Sequence, residues 1–252
     1  TAADGTTIAY DDHPGGDATP VILVHGITET AATWEPLIEP LSRDRRVIVM
    51  DLRGHGRSGT AENYDLAEMS GDVVALASNL NIIRPHLVGH SLGGRISTLF
   101  AARHIERLAG IVLVDAGPDL DARGVSRIST DVERSIDRSF ASLAECENAL
   151  AHAYPAARPA ALVRMARHGM RKREDGRYER KTDPAYHSFR GGLTAADAEA
   201  LEERTAKELW EALARIRCPA LVVRGAASDV LDPDTAERMA EEVLPSARLA
   251  VV

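Results

Sequence analysis

Six short apolar runs punctuate the chain: PVILVHG (20–26), RVIVMDLRG (46–54), HLVGHS (86–91), LAGIVLVDAG (108–117), ALVVRGAASD (220–229) and ARLAVV (247–252). Each is rich in β-branched residues, and most end in Gly, Asp or Ser. Near-continuous runs of this kind predict strands covered on both faces, as in a parallel sheet. Amphipathic segments between them predict helices over 64–80, despite Gly71, over 93–108 and over 232–244. Asp232 serves the last as N-cap ahead of Pro233. The opening TTIAYDDH (6–13) alternates instead and predicts an antiparallel edge. Strands alternating with helices give an α/β fold: a mostly parallel, twisted sheet with helices on both faces and right-handed crossovers.

This rhythm breaks between about 118 and 215, where the sequence is charged, helical and strand-poor. A hundred residues between two core strands form a subdomain rather than a loop. The expected organisation is a core over 1–118, a helical cap over 119–212 and a returning core over 213–252. A chain of 252 residues suits one domain with such an insertion.

Against this frame, Gly89-His90-Ser91-Leu92-Gly93 falls between one apolar strand and one helix. A nucleophile on so tight a turn has strained dihedrals, and glycine at both flanks lets neighbouring backbones pass. The turn also sets the serine oxygen near a helix N-terminus, where free N–H groups favour developing negative charge. An earlier strand ends in His25-Gly26-Ile27. Acyl transfer needs fixed donors aimed at an oxyanion, and the N–H groups of Ile27 and Leu92 are the candidates. His25 is read as bracing this loop by hydrogen bonding. In MDLRGHGRSG (50–59) the glycines suit a tight turn, so that stretch, His55 included, is assigned to structure.

The three motifs, in this order and spacing, resemble the α/β-hydrolase fold family of esterases, lipases, peptidases and C–C bond hydrolases. The resemblance covers nearly the whole chain and implies a cap inserted after the sixth core strand. Serine at the nucleophile position argues against the haloalkane dehalogenases and epoxide hydrolases, which use Asp there. The family order is nucleophile, acid, histidine. The resemblance places the acid after the seventh strand, at Asp229; Asp115, after the sixth, is the alternative found in some members. Asp232 and Asp234 are read as cap and first-turn residues. The histidine is expected after the eighth strand, yet none of the nine histidines follows Asp229. The reading therefore expects a loop carrying it, and a last helix, beyond Val252. His90 adjoins Ser91 with its side chain pointed elsewhere; it is taken, with Trp34, as a substrate-binding position.

A net charge of −8 argues against nucleic acid or an anionic membrane as partner, because both need a basic face. The basic cap stretch RMARHGMRKREDGRYERK (164–181) is read as a solvated face that could also attract acidic substrates. Cys146 and Cys218 lack metal-like spacing and read as buried thiols. No run approaches the roughly 20 residues of a membrane span. The expected protein is a cytoplasmic serine hydrolase of a small-molecule carboxylic ester, thioester or lactone, working through an acyl-enzyme without metal or cofactor. The alternatives are a C–C bond hydrolase or aminopeptidase on the same fold, or a non-catalytic protein binding a small ligand. Oligomeric state is left open.

Overall fold

Alternate residues of the apolar runs go to opposite faces of one sheet, which is why the runs are nearly continuous. In the first run Ile22 and Val24 face one core while Val21 and Leu23 face another; in the second, Ile48 and Met50 part from Val47 and Val49 in the same way. The structure, a computed structural model, describes residues 1–121, 123–124, 126–127, 130, 138–186 and 195–252. The stretch 131–137, read as helical from sequence, and His187 lie outside these.

The sheet contains β1 (Tyr10–Val24), β2 (Arg45–Met50), β3 (His86–His90) and β4 (Gly110–Val114). After a cap hairpin of β5 (Met170–Lys172) and β6 (Tyr178–Arg180), it resumes with β7 (Ala220–Arg224) and β8 (Ala247–Val251). The order is β2-β1-β3-β4-β7-β8, with β1–β3, β3–β4, β4–β7 and β7–β8 all parallel. The first strand meets β2 twice. Val21 to Val24 partner Val47 to Met50 in ascending order, whereas Asp11, Asp12 and His13 partner Val49, Ile48 and Val47 in descending order. The opening residues thus supply the antiparallel edge that the alternation predicts. Gly15 and Gly16 carry the chain round the start of β2, where a Cβ would overlap the backbone of Arg45 and Asp44.

Helices α1 (Glu35–Ser42), α2 (Leu66–Asn79) and α3 (Leu92–Arg103) cover the sheet. Asp65 caps α2 by accepting the Glu68 N–H, a bond that leaves one fewer orphan donor at the helix start. The cap holds α4 (Leu143–Ala153), α5 (Pro159–Gly169) and the β5–β6 hairpin around a small cluster of its own: Phe140, Cys146, Leu150, Ala166 and Met170. Next comes α6 (Ala195–Leu213), and it is not a cap helix in its packing. Leu209 and Ala212 pack on Leu99 and Ala102 of α3, and Leu213 joins the main core. The stretch read as cap up to residue 212 therefore ends in a helix that covers the sheet. Past β7, α7 (Pro233–Glu237) starts from Asp232, whose side chain accepts the Asp234 N–H, and widens into a π-turn over Arg238–Val243.

Trp34 requires a correction. It ends a short 3₁₀ turn and packs against the sheet with Val21, Leu23, Val47 and Val49, only 6% exposed. A large apolar side chain on a turn lying flat on a sheet is drawn into the core rather than toward a substrate. Among the described residues no helix is long and apolar enough to cross a membrane.

Candidate active site

The strained turn sits where the glycine spacing puts it. Ser91 follows β3 with φ 48 and ψ −115, outside the conformations L residues ordinarily adopt, at a cost on the order of 1–3 kcal/mol. A Cβ on Gly89 would overlap the Gly93 carbonyl, and one on Gly93 would overlap the Val24 carbonyl. The two glycines let β3, α3 and the end of β1 pack backbone to backbone, which holds the strained serine in place. Its N–H donates to the Val114 carbonyl at 2.9 Å, tying it to the neighbouring strand end.

That neighbouring end carries a second strained residue. Asp115 follows β4, as Ser91 follows β3, and has the same φ of 48. Its Oδ2 accepts from the Ser228 hydroxyl at 2.8 Å and its Oδ1 from the Gly225 N–H at 3.4 Å. The Ser228 oxygen in turn accepts the Val230 and Leu231 N–H groups, each at 3.1 Å, so Asp115 is braced by the loop after β7. Asp229, the acid expected from sequence, stands in that same loop but is already occupied. Both its oxygens accept from the Arg127 guanidinium, at 2.6 and 2.7 Å. That paired charge-assisted contact holds its carboxyl below the usual range.

On the other side of Ser91, His25 is fully buried. Its Nε2 accepts the Leu52 N–H at 3.0 Å, which leaves Nδ1–H to donate to the Gly26 carbonyl at 2.7 Å. Burial pulls its pKa down against the effect of that backbone bond. A neutral imidazole with both nitrogens spent on backbone is a brace, as its place in the motif suggests. His55 is equally buried and stacks near His25 and Tyr186, away from the cleft. Ile27 follows Gly26 and lines the cleft with Ser91; Leu92 opens α3 as its first residue, where a helix leaves N–H groups without intrahelical acceptors.

Sequence reading missed a contact made across 61 residues. The Glu29 carboxylate bonds both the Gly26 N–H at 2.8 Å and His90 Nδ1 at 3.0 Å. Burial alone would raise the Glu29 carboxyl, but the charge and bond of His90 and the Gly26 N–H overcome it and bring it down to about 2. Burial likewise opposes charge on His90, and the Glu29 carboxylate outweighs it, raising the imidazole. The result is an ion pair joining the Gly26–Ile27 loop to the residue before Ser91. His90 therefore lines the cleft with its Nδ1 committed to Glu29. No short-range pattern signals such a pair.

These groups line one cavity of about 310 Å³ between core and cap. Ser91, Asp115, Glu29 and His90 lie on the core side, and Tyr154, Met165 and Arg180 on the cap side. Cys146 lies buried within the cap, its thiol pushed up to about 11 by burial, and both cysteines are free.

Comparison with known proteins agrees with this geometry. The chain is 28% identical over 216 residues to 2-(acetamidomethylene)succinate hydrolase of Mesorhizobium japonicum, covering 84% of this chain and 72% of that one. It is 32% identical over 134 residues to pimeloyl-[acyl-carrier protein] methyl ester esterase of Edwardsiella ictaluri, covering 48% and 50%. The chain spans 30% of the length of one curated relative that it matches and 87% of another. The crystal structure of an alpha/beta hydrolase from Novosphingobium aromaticivorans superposes with a TM-score of 0.82 at 28% identity, over all of this chain and 88% of that one. The alpha/beta hydrolase fold model matches residues 19–252, and with the strand order, the tight serine turn and the cap, it places this chain in the α/β-hydrolase fold family.

Proposed function

We propose that the protein is a serine hydrolase of a carboxylic ester, thioester or lactone. Ser91 attacks the carbonyl carbon and forms an acyl-enzyme, which water then cleaves. The observation that carries this reading is the strained Ser91 at the cleft floor, with φ 48, backed by glycines that admit no side chain. Strain of that kind persists only where the surroundings fix it, and it aims the hydroxyl at the cavity. The Ile27 and Leu92 N–H groups bind the oxyanion of the tetrahedral intermediate. Glu29 and His90 fix the loop that carries Ile27.

In this reading the base is a histidine, the partner that a serine nucleophile requires. It takes the Ser91 proton on attack and returns it to the leaving group. Its orienting carboxylate must accept the imidazole N–H and face the imidazolium that forms. Asp229 already faces a guanidinium, whereas Asp115 forms no ion pair among the described residues. We therefore assign the orienting role to Asp115 and give Asp229 a part in holding Arg127 at the cavity.

Hydrolysis of p-nitrophenyl butyrate by the wild type and by Ser91→Ala tests the reading. The account expects turnover by the wild type and a loss on the order of 10⁴-fold or more in the variant, with an unchanged melting temperature. Equal turnover by both proteins overturns it. Absence of turnover in the wild type, together with a melting shift on adding a small ligand, would favour a binding protein instead.

A further inference from the structure

Charges facing the cavity pair off almost completely. Glu29 meets His90 and Asp229 meets Arg127. Asp115 takes the Ser228 hydroxyl, and its remaining charge, which also reaches His90, is where the base belongs. One charge is left over. The side chain of Arg180, on the cap, forms no hydrogen bond or ion pair among the described residues, and its Nε is buried without an acceptor.

The position of Arg180 is set by the hairpin. In β6 successive side chains alternate between faces, so Tyr178 and Arg180 share one and Glu179 takes the other. Tyr178 packs on the apolar cluster of the cap. Glu179 looks outward, bonded to Arg171 at 2.7 Å and to Arg173 at 3.7 Å. Arg177 is held by the Ser139 hydroxyl and carbonyl. Arg171, Arg173 and Arg177 of the basic stretch are thus held on the outer face by Glu179 and Ser139, and Arg180 is not. There the alternation directs a guanidinium inward, opposite the buried Met170. Arg180 lines both the Ser91 cavity and a second cavity of about 220 Å³, whose wall also has Arg164, unpaired among the described residues, and the hydroxyl-bearing Thr28, Thr30 and Thr33.

A buried donor with no acceptor costs free energy unless a ligand supplies one. Guanidinium is a planar fork matched to carboxylate geometry. We propose that Arg180 receives a carboxylate carried by the substrate, so that the hydrolysed compound is an anionic acyl derivative rather than a neutral ester. This rests on the hydrolase reading above and adds a substrate class to it. The negative net charge of the protein makes a local cation at this position the more decisive for an anionic ligand.

The test compares the p-nitrophenyl hemiester of glutarate with p-nitrophenyl butyrate, and separately measures the melting shift given by free glutarate. Wild type, Arg180→Ala, Arg180→Lys and Arg171→Ala are used, each checked by thermal melting. The expected result is a wild-type preference for the hemiester that falls about 10- to 100-fold in Arg180→Ala. Arg180→Lys, which keeps the charge and loses the fork, lies between. Arg171→Ala, which removes the same charge from the outer face of the hairpin, keeps the wild-type ratio. Glutarate should raise the melting temperature of the wild type and not of Arg180→Ala. The inference stands if either the ratio or the glutarate shift depends on Arg180, and it is overturned if neither does. Turnover of both esters with no dependence on Arg180 removes the inference and leaves the hydrolase. A glutarate shift that needs Arg180, without turnover of either ester, keeps the inference and removes the hydrolase reading.

Discussion

The two walls of the cavity are held by different physics. On the core side Ser91 and Asp115 are fixed by backbone: two strand ends at φ 48, glycines that admit no Cβ, and the bond from the Ser91 N–H to the Val114 carbonyl. On the cap side the residues stand on a three-residue hairpin strand and short helices around a small apolar cluster. Ion pairs on the outer face hold that hairpin. A backbone-fixed wall suits chemistry, which tolerates little displacement. A wall set by side-chain packing and alternation suits selection of substrate, because single residues there can change without disturbing the turn that holds Ser91.

The contrast can be broken most severely at the carboxylates. Asp115→Asn should lower kcat on the order of 10⁴-fold, as expected for the group that orients a catalytic histidine. Asp229→Asn removes a half-exposed ion pair with Arg127 and should cost less than about tenfold. The opposite order would return the orienting role to Asp229.

Glycines sharpen the comparison on the scale of stability. Gly89→Ala forces a methyl into the Gly93 backbone and should destabilise by about 3 kcal/mol, at the upper end of overpacking costs. The same change at Gly176, in the tip of the cap hairpin, meets nothing within 4 Å and contends only with its φ of 84. About 1 kcal/mol is expected there. Urea denaturation curves of the two variants separate crowding from backbone strain.

The smallest effect concerns the Glu29–His90 pair. The raised imidazole stabilises the fold fully below its ordinary value of 6.5, and this contribution is lost as pH rises through the raised value. The Glu29 carboxylate contributes above its ordinary 4.5 and loses that contribution as pH falls toward about 2. Both act together between those limits. Glu29→Gln should therefore cost about 1 kcal/mol near pH 5 to 6 and progressively less at higher pH. NMR titration of His90 should show its pKa fall in the variant, since burial is then opposed only by the charge of Asp115.

Much of the core was legible because its determinants are local. β3, β4, β7 and β8 lie within the apolar runs, β2 starts one residue before its own, and α2 occupies 66–79 of the 64–80 predicted. The serine turn and the His25 brace follow from short motifs whose glycines and polar atoms act on adjacent backbone. The cap was less legible. Its hairpin is two strands of three residues in a charged stretch, too short for alternation to register, though Asp175-Gly176 marks the turn. The helix over 195–213 reads as polar and cap-like in sequence, and only its contacts with α3 assign it to the sheet. Trp34 followed the same logic in reverse, since an aromatic near a motif looks like a pocket residue until packing draws it down. Glu29, Asp115 and Arg180 acquire their roles from partners present or missing at long range, which no window of sequence contains.

The central claim is that Ser91 is an activated nucleophile. Labelling the purified protein with a fluorophosphonate, followed by peptide mass mapping, addresses it directly. The account predicts one label per chain, on the peptide containing Gly89-His90-Ser91-Leu92-Gly93, and its loss in Ser91→Ala. An unlabelled protein, or a label on another serine that persists in Ser91→Ala, would contradict it.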